Sequence, residues 1–276
     1  MFYDTSRFQE KLEGGRDDRT HGIVVITPSE SRRLLAKGVL ALPEVQRSLK
    51  DGLFVICRGI TTAFVAEEVL GDTLNKPNCT AGIVTDGRLA STLPEEGQGP
   101  WVFRDGDLTP DGFDQALKDL TATDVVVKGV NAVDAEGNVG VIAANWFGGT
   151  IGAVWPTVTA RGTNFVIPVG LEKLIPSVNE AVQKCGQGMF KYVMGAKIGL
   201  MPVMQGLVVT EIEALAMLTG VSATHVASGG VGGSEGSVII SLEGSDETVK
   251  RAFELVKSIK GEPPVPQPNL LPALIS

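Results

Sequence analysis

Three short runs set the strongest limit on the fold: LFVIC (53–57), DVVVK (124–128) and NFVIPV (164–169), each mostly apolar and each followed within two residues by a glycine. A strand with one face in water alternates polar and apolar residues. A continuous apolar run has to be covered on both faces, as in the parallel sheets of α/β proteins. The flanking segments carry helical spacing: TTAFVAEEVLG after the first run, FDQALKDLT before the second, GGTIGAVWPTVTARG before the third and IPSVNEAVQKCG beyond it. Strands alternating with helices predict an α/β protein with a mainly parallel sheet flanked by helices.

Further elements extend the pattern. SESRRLLAKGVLAL opens with serine and an early Glu30, a helix start, and PEVQRSLKDG places Pro43 in a first turn and Gly52 past the end. GIVVITP, TAGIVTDG and VGVIAA read as strands, and LPEEGQGPWVFRDGDLTPDG reads as loop because Gly, Pro and Asp dominate it. From residue 206 the rhythm changes to strand (GLVVT), helix (EIEALAMLTG), two strands (ATHVASGG, SVIISLEG) and a capped amphipathic helix (SDETVKRAFELVKSIKG). That order predicts a C-terminal ferredoxin-like α+β unit. The expected organisation is a polar lead-in over 1–21, an α/β domain over 22–190, the ferredoxin-like unit over 206–261, and a proline-rich tail over 262–276. The apolar residues Leu270 to Ile275 predict that the tail docks on a surface.

Composition removes several functions. The net charge of −8 argues against nucleic acid and anionic membrane as partners, so an anionic ligand would be held by local dipoles and a few cations. Cys57, Cys79 and Cys185 are far apart and odd in number, and His21 and His225 stand alone, so neither a disulfide framework nor a metal site is expected. No signal peptide or membrane span is read, which gives a cytoplasmic expectation, and no cofactor is implied.

Open parallel sheets hold ligands at the carboxyl ends of their strands, where helix N-termini present free N–H groups. Three glycine turns fall there: Arg58-Gly59-Ile60-Thr61-Thr62, Lys128-Gly129-Val130-Asn131, and Gly148-Gly149-Thr150. None is a Walker A loop or a G-x-G-x-x-G fingerprint, and each taken alone also reads as a capped strand-to-helix turn.

The run DVVVKGVNAVDAEGNVG, with Gly129, Asn131, Asp134, Gly137 and Asn138, resembles a segment of the NagB/RpiA/CoA-transferase-like superfamily. Gly59, Thr61 and Thr62 resemble that group's G-[ST]-T turn, and NFVIPVGLEKLIPSVNEAV is similar to the late strand–helix unit of its lactate-utilisation (LUD) members. The resemblance covers about residues 22–185 and rests on motif order. It implies a NagB/RpiA-like fold and binding of a phosphorylated small molecule: a sugar phosphate, a nucleotide or a CoA-like ligand. Asn131 stands where the pentose-phosphate isomerases carry an acid, and VIAANWFGG lacks their lysine loop. An amide cannot serve as a general base.

Other residues have two readings each. Cys57 beside Arg58 is a candidate nucleophile, with a small buried hydrophobe preferred. Asp134 is a candidate acid/base or a turn residue. Trp146 can cover a ligand or pack. Lys128 can neutralise a phosphate or face solvent. ASGGVGGSEGS (227–237) is a flap over a ligand or a mobile hairpin loop, with His225 just before it. Two functions follow: a metabolite sensor whose small C-terminal unit regulates or oligomerises, or an isomerase- or transferase-type enzyme using Asp134. A homo-oligomer is expected in either case.

Overall fold

The apolar runs become the middle of a sheet in the computed structural model, which describes residues 1–11, 15 and 18–271. In chain order the strands are β1 (Thr20–Ile26), β2 (Leu53–Ile56), β3 (Gly82–Thr85), β4 (Arg88–Ser91), β5 (Trp101–Arg104), β6 (Asp107–Leu108), β7 (Val125–Val127), β8 (Ala132–Val133), β9 (Val139–Ala143), β10 (Asn164–Pro168), β11 (Gly199–Val203), β12 (Leu207–Val209), β13 (Ser222–Gly229) and β14 (Ser237–Gly244). The helices are α1 (Pro28–Ala41), α2 (Pro43–Lys50), α3 (Ile60–Leu70), α4 (Phe113–Asp119), α5 (Gly149–Arg161), α6 (Val178–Gln183), α7 (Glu211–Thr219) and α8 (Asp246–Ser258).

Six strands form a mixed sheet in the order β12-β10-β7-β2-β5-β6. β12, β10, β7 and β2 are parallel, and β5 and β6 add an antiparallel edge. Alternate residues of each run feed opposite cores. Phe54, Ile56, Val125, Val127 and Val166 pack towards α1, α2, α3 and α7. Leu53, Val55, Val126, Phe165 and Ile167 pack towards α4, α5 and β9. Both faces are therefore covered, which is why the middles of these strands carry no polar side chain.

The C-terminal segment does not pair as a self-contained unit. β12 joins the six-stranded sheet beside β10, with Val166 opposite Leu207. β13 and β14 instead take β1 as their third strand, antiparallel, with Val24 opposite Ile240. The reason is burial. Val24 and Ile26 of β1 complete one buried face with Val238, Ile240 and Leu242, against Val249, Ala252 and Val256 of α8. β12 is too short and too enclosed to serve there.

Other sequence readings shift as well. TAGIVTDG becomes the two-stranded hairpin β3–β4, turning through Asp86-Gly87 at positive φ. VGVIAA becomes β9, inside a separate antiparallel sheet β11-β9-β8. β5, expected as loop, is a buried strand; its Trp-Val-Phe core is hidden in sequence between Gly99-Pro100 and Asp105-Gly106. As far as it is described, the tail is held by polar contacts. Gln267 Nε2 donates to Asp86 at 2.8 Å, Asn269 Nδ2 donates to Glu96 at 2.9 Å, and Leu271 N donates to Ser91 O at 2.9 Å. Residues 272–276 of the expected apolar end lie outside the described residues.

Candidate functional site: a cationic cavity at the strand ends

A cavity of about 440 Å³ opens where β2, β7 and β10 end side by side. That volume suits a small-molecule ligand. The β2–α3 turn contributes Arg58, Gly59 and Thr61. The segment after β7 contributes Lys128, Gly129 and Asn131, and the start of α5 contributes Gly148, Gly149 and Thr150. These are nine of the residues singled out in the sequence, brought together from three separate turns. The hairpin β3–β4 forms a further wall through Ile83, Leu89 and Ser91.

Each turn is held by its own residues. Thr62 is fully buried and off the cavity wall. Its hydroxyl shares its one hydrogen between Cys57 O at 2.6 Å and Gly59 O at 3.1 Å, so it fixes the turn from beneath the wall. Gly148 has φ +80, and a Cβ there would stand 2.6 Å from Met201 Sδ, so only glycine fits this helix start. Asn145 Oδ1 closes the same turn by accepting from Phe147 N at 2.8 Å. Asn131 Oδ1 accepts from Ile142 N at 3.0 Å, which ties the segment after β7 to β9.

Among the described residues four cations line the cavity, Arg32, Arg58, Lys128 and Lys173, and no carboxylate does. Arg32 comes from α1 and is paired with Glu172 at 3.2 Å. Lys173, just past β10, donates to Val130 O at 3.1 Å. Neither was picked out in the sequence; Lys173 sits at a strand end like the others, whereas Arg32 in SESRR carries no local signal. Arg58 Nη2 donates to Thr80 O at 2.8 Å, and the buried Nε atoms of Arg58 and Arg32 have no acceptor among the described residues. Burial pulls the Arg58, Lys128 and Lys173 pKa values below their usual ranges, only partly opposed by Cys79, Cys57 and Glu172 respectively. The N-termini of α3 and α5 add their dipoles to the same space.

Two candidate chemical groups fall away. Asp134 is not on the cavity wall. Its carboxylate accepts from Glu136 N, Asn138 N, Asn138 Nδ2 and Val178 N at 3.0–3.1 Å, which makes it the organiser of the VDAEGN turn and of the α6 start. Burial raises its pKa, but these four donors outweigh that and hold it below the usual carboxylate range. Cys57 is fully buried, and burial pushes its thiol up to about 11 despite the nearby Lys128, so it is a protonated packing residue.

The remaining motifs surround the site. Trp146, next to the wall residue Asn145, is 81% exposed and so belongs to no core. Beyond the hairpin lies a second cavity of about 680 Å³ that shares Arg32, Ile60 and Ile83 with the first. Gly233 and Glu235 of the glycine loop and Pro263–Gln267 of the tail line it. His225 Nε2 is 2.8 Å from Ser228 Oγ, away from both cavities. Among the described residues no cluster of His, Cys, Asp or Glu could hold a metal ion, and no helix is long and apolar enough to cross a membrane. Comparison with family models, with curated proteins and with solved structures finds no match to this chain.

Proposed function

We propose that the cavity binds a phosphorylated small molecule, a sugar phosphate, a nucleotide or a CoA-like ligand, and that the protein acts as a metabolite sensor. One observation carries the reading: a chain of net charge −8 gathers four cations and no carboxylate around one cavity. A cation as enclosed as Lys128, with no counter-ion among the described residues, is costly unless an anion joins it. Two helix N-termini at the same cavity favour the same charge. The position of the cavity at adjacent parallel strand ends also fits the NagB/RpiA-like reading of the fold.

Asp134-based catalysis loses support, because that carboxylate is off the wall and fully engaged. The small sheet β1-β14-β13 supports the regulatory or oligomerising part of the reading. Its open face carries Ile23 and Val25, which are 62% and 45% exposed, and a second copy of the chain would cover them.

The test is thermal unfolding of the full chain with sugar phosphates, nucleotides and CoA esters, each beside its uncharged counterpart. A ligand at a hundred times its Kd adds about 2.7 kcal/mol to stability, which is readily seen as a rise in Tm. A shift given only by the phosphorylated compounds supports the reading. Equal shifts from the uncharged counterparts, or none at all, overturn it.

A further inference from the structure

Lys128 differs from the other cations of the cavity. It is the most enclosed of them, 9% exposed, directly after β7 in the middle of the sheet. Arg32 has Glu172, and Arg58 and Lys173 have backbone carbonyls, but no described residue accepts a hydrogen bond from the Lys128 ammonium or pairs with it. Burial draws its pKa down, and the one group opposing this is the thiol of Cys57, itself protonated. The two arginines stay charged at ordinary pH, and each has a buried Nε with no acceptor among the described residues. Burial without a counter-ion shifts a lysine towards its neutral amine, which is a nucleophile.

We infer that the Lys128 amine condenses reversibly with the carbonyl group of the bound anion, so that the ligand is an aldehyde or ketone bearing a phosphate or carboxylate group. The inference rests on the anion-site reading and narrows it. The nitrogen lone pair attacks the carbonyl carbon, and a proton passes from nitrogen to the carbonyl oxygen. The carbinolamine then expels water to leave a C=N bond. No electrons are gained or lost, so no redox partner is required. Thr61, 4% exposed, lines the same wall and carries a hydroxyl donor for the oxygen as it gains charge. Arg58 and Arg32 hold the anionic end of the ligand.

The test uses the full chain with dihydroxyacetone phosphate, pyruvate, or uncharged glyceraldehyde, followed by sodium borohydride. Borohydride delivers hydride to the C=N carbon and fixes a secondary amine, which peptide mass spectrometry locates. The expected result is labelling of Lys128 by one of the anionic carbonyl compounds at least about tenfold faster than of any other lysine, because the reactants are held together. Inorganic phosphate should suppress it, and glyceraldehyde should show no such preference. Phosphate against pyruvate in the labelling rate tells which anion the site favours. Lys128→Met should remove the adduct. A phosphate-induced Tm rise with no adduct at Lys128, or with the adduct at Lys173 instead, overturns the imine and leaves the anion site standing. No Tm rise and no adduct overturns both.

Discussion

Thr61 at the start of α3 and Gly129 after β7 are neighbours on the cavity wall: the Cβ of Thr61 lies 3.8 Å from where a Cβ on Gly129 would stand. The contact is ordinary for a methyl group, and Gly129 has no positive φ, so an alanine would fit there. A branched side chain would reach into the space that a ligand needs. Gly129→Val is therefore expected to leave Tm of the free protein within a few degrees, while the Tm rise from phosphorylated ligands falls at least about tenfold in apparent affinity. Unchanged ligand affinity would place the ligand elsewhere.

Glu211 should give the stability a distinctive pH dependence. The carboxyl is fully buried, hydrogen-bonded to Ser31 Oγ and accepting from Leu171 N at 3.0 Å. Burial pushes its pKa up to about 7, with a further push from Glu172 and opposition from the hydrogen bonds. A raised carboxyl pKa means that the folded state holds its proton longer than the unfolded state. Its contribution is complete below about pH 4.5 and is lost as pH rises through about 7. The loss amounts to at most about 3 kcal/mol. Glu211→Gln keeps the acceptor oxygen and cannot ionise. Urea titrations at pH 5 and pH 8 should show a smaller difference for the variant than for the wild type, with Glu213 supplying a residual slope of the same sign. An identical difference would mean that Glu211 is ionised in the folded protein throughout.

Asp134 is expected to matter for folding and not for the cavity. Asp134→Asn replaces one oxygen of an acceptor with four N–H donors and should cost about 1–3 kcal/mol in urea unfolding. Because its folded pKa is lowered, the stability it gives is present above the ordinary value of 3.8 and lost as pH falls through the folded value. The variant should therefore lose less stability on acidification than the wild type. Ligand-induced Tm shifts should be unchanged; their loss would return Asp134 to the functional site.

The open face of the small sheet leads to an expectation about assembly. Ile23, Val25 and, from β13, Val226 are exposed beside an unpaired eight-residue edge strand. Light scattering should report a homodimer or larger symmetric oligomer, and Ile23→Lys should shift it towards monomer with little change in fold. A wild-type monomer at micromolar concentration would remove this part of the proposal.

The sequence alone determined the covered sheet and the strand-end turns. Leu53–Ile56, Val125–Val127 and Phe165–Pro168 are apolar at every position, and a run with no polar side can only be buried on both faces. Gly148 follows from local chemistry too, since its left-handed φ of +80 at a helix start favours glycine. Partnership could not be read locally. GIVVITP and GLVVT look alike as strings, yet β1 pairs with β14, more than two hundred residues away, while β12 pairs with β10. The choice rests on which faces remain to be buried once the helices are in place. Asp134 failed as a catalytic candidate for a related reason: the same carboxylate serves a turn or a reaction, and the four N–H groups around it decide, the most distant of them from Val178. Arg32 and Lys173 were invisible because a lone cation in a helix or at a strand end has no local signature. Only the tertiary structure turns them towards the cavity, where they join Arg58 and Lys128.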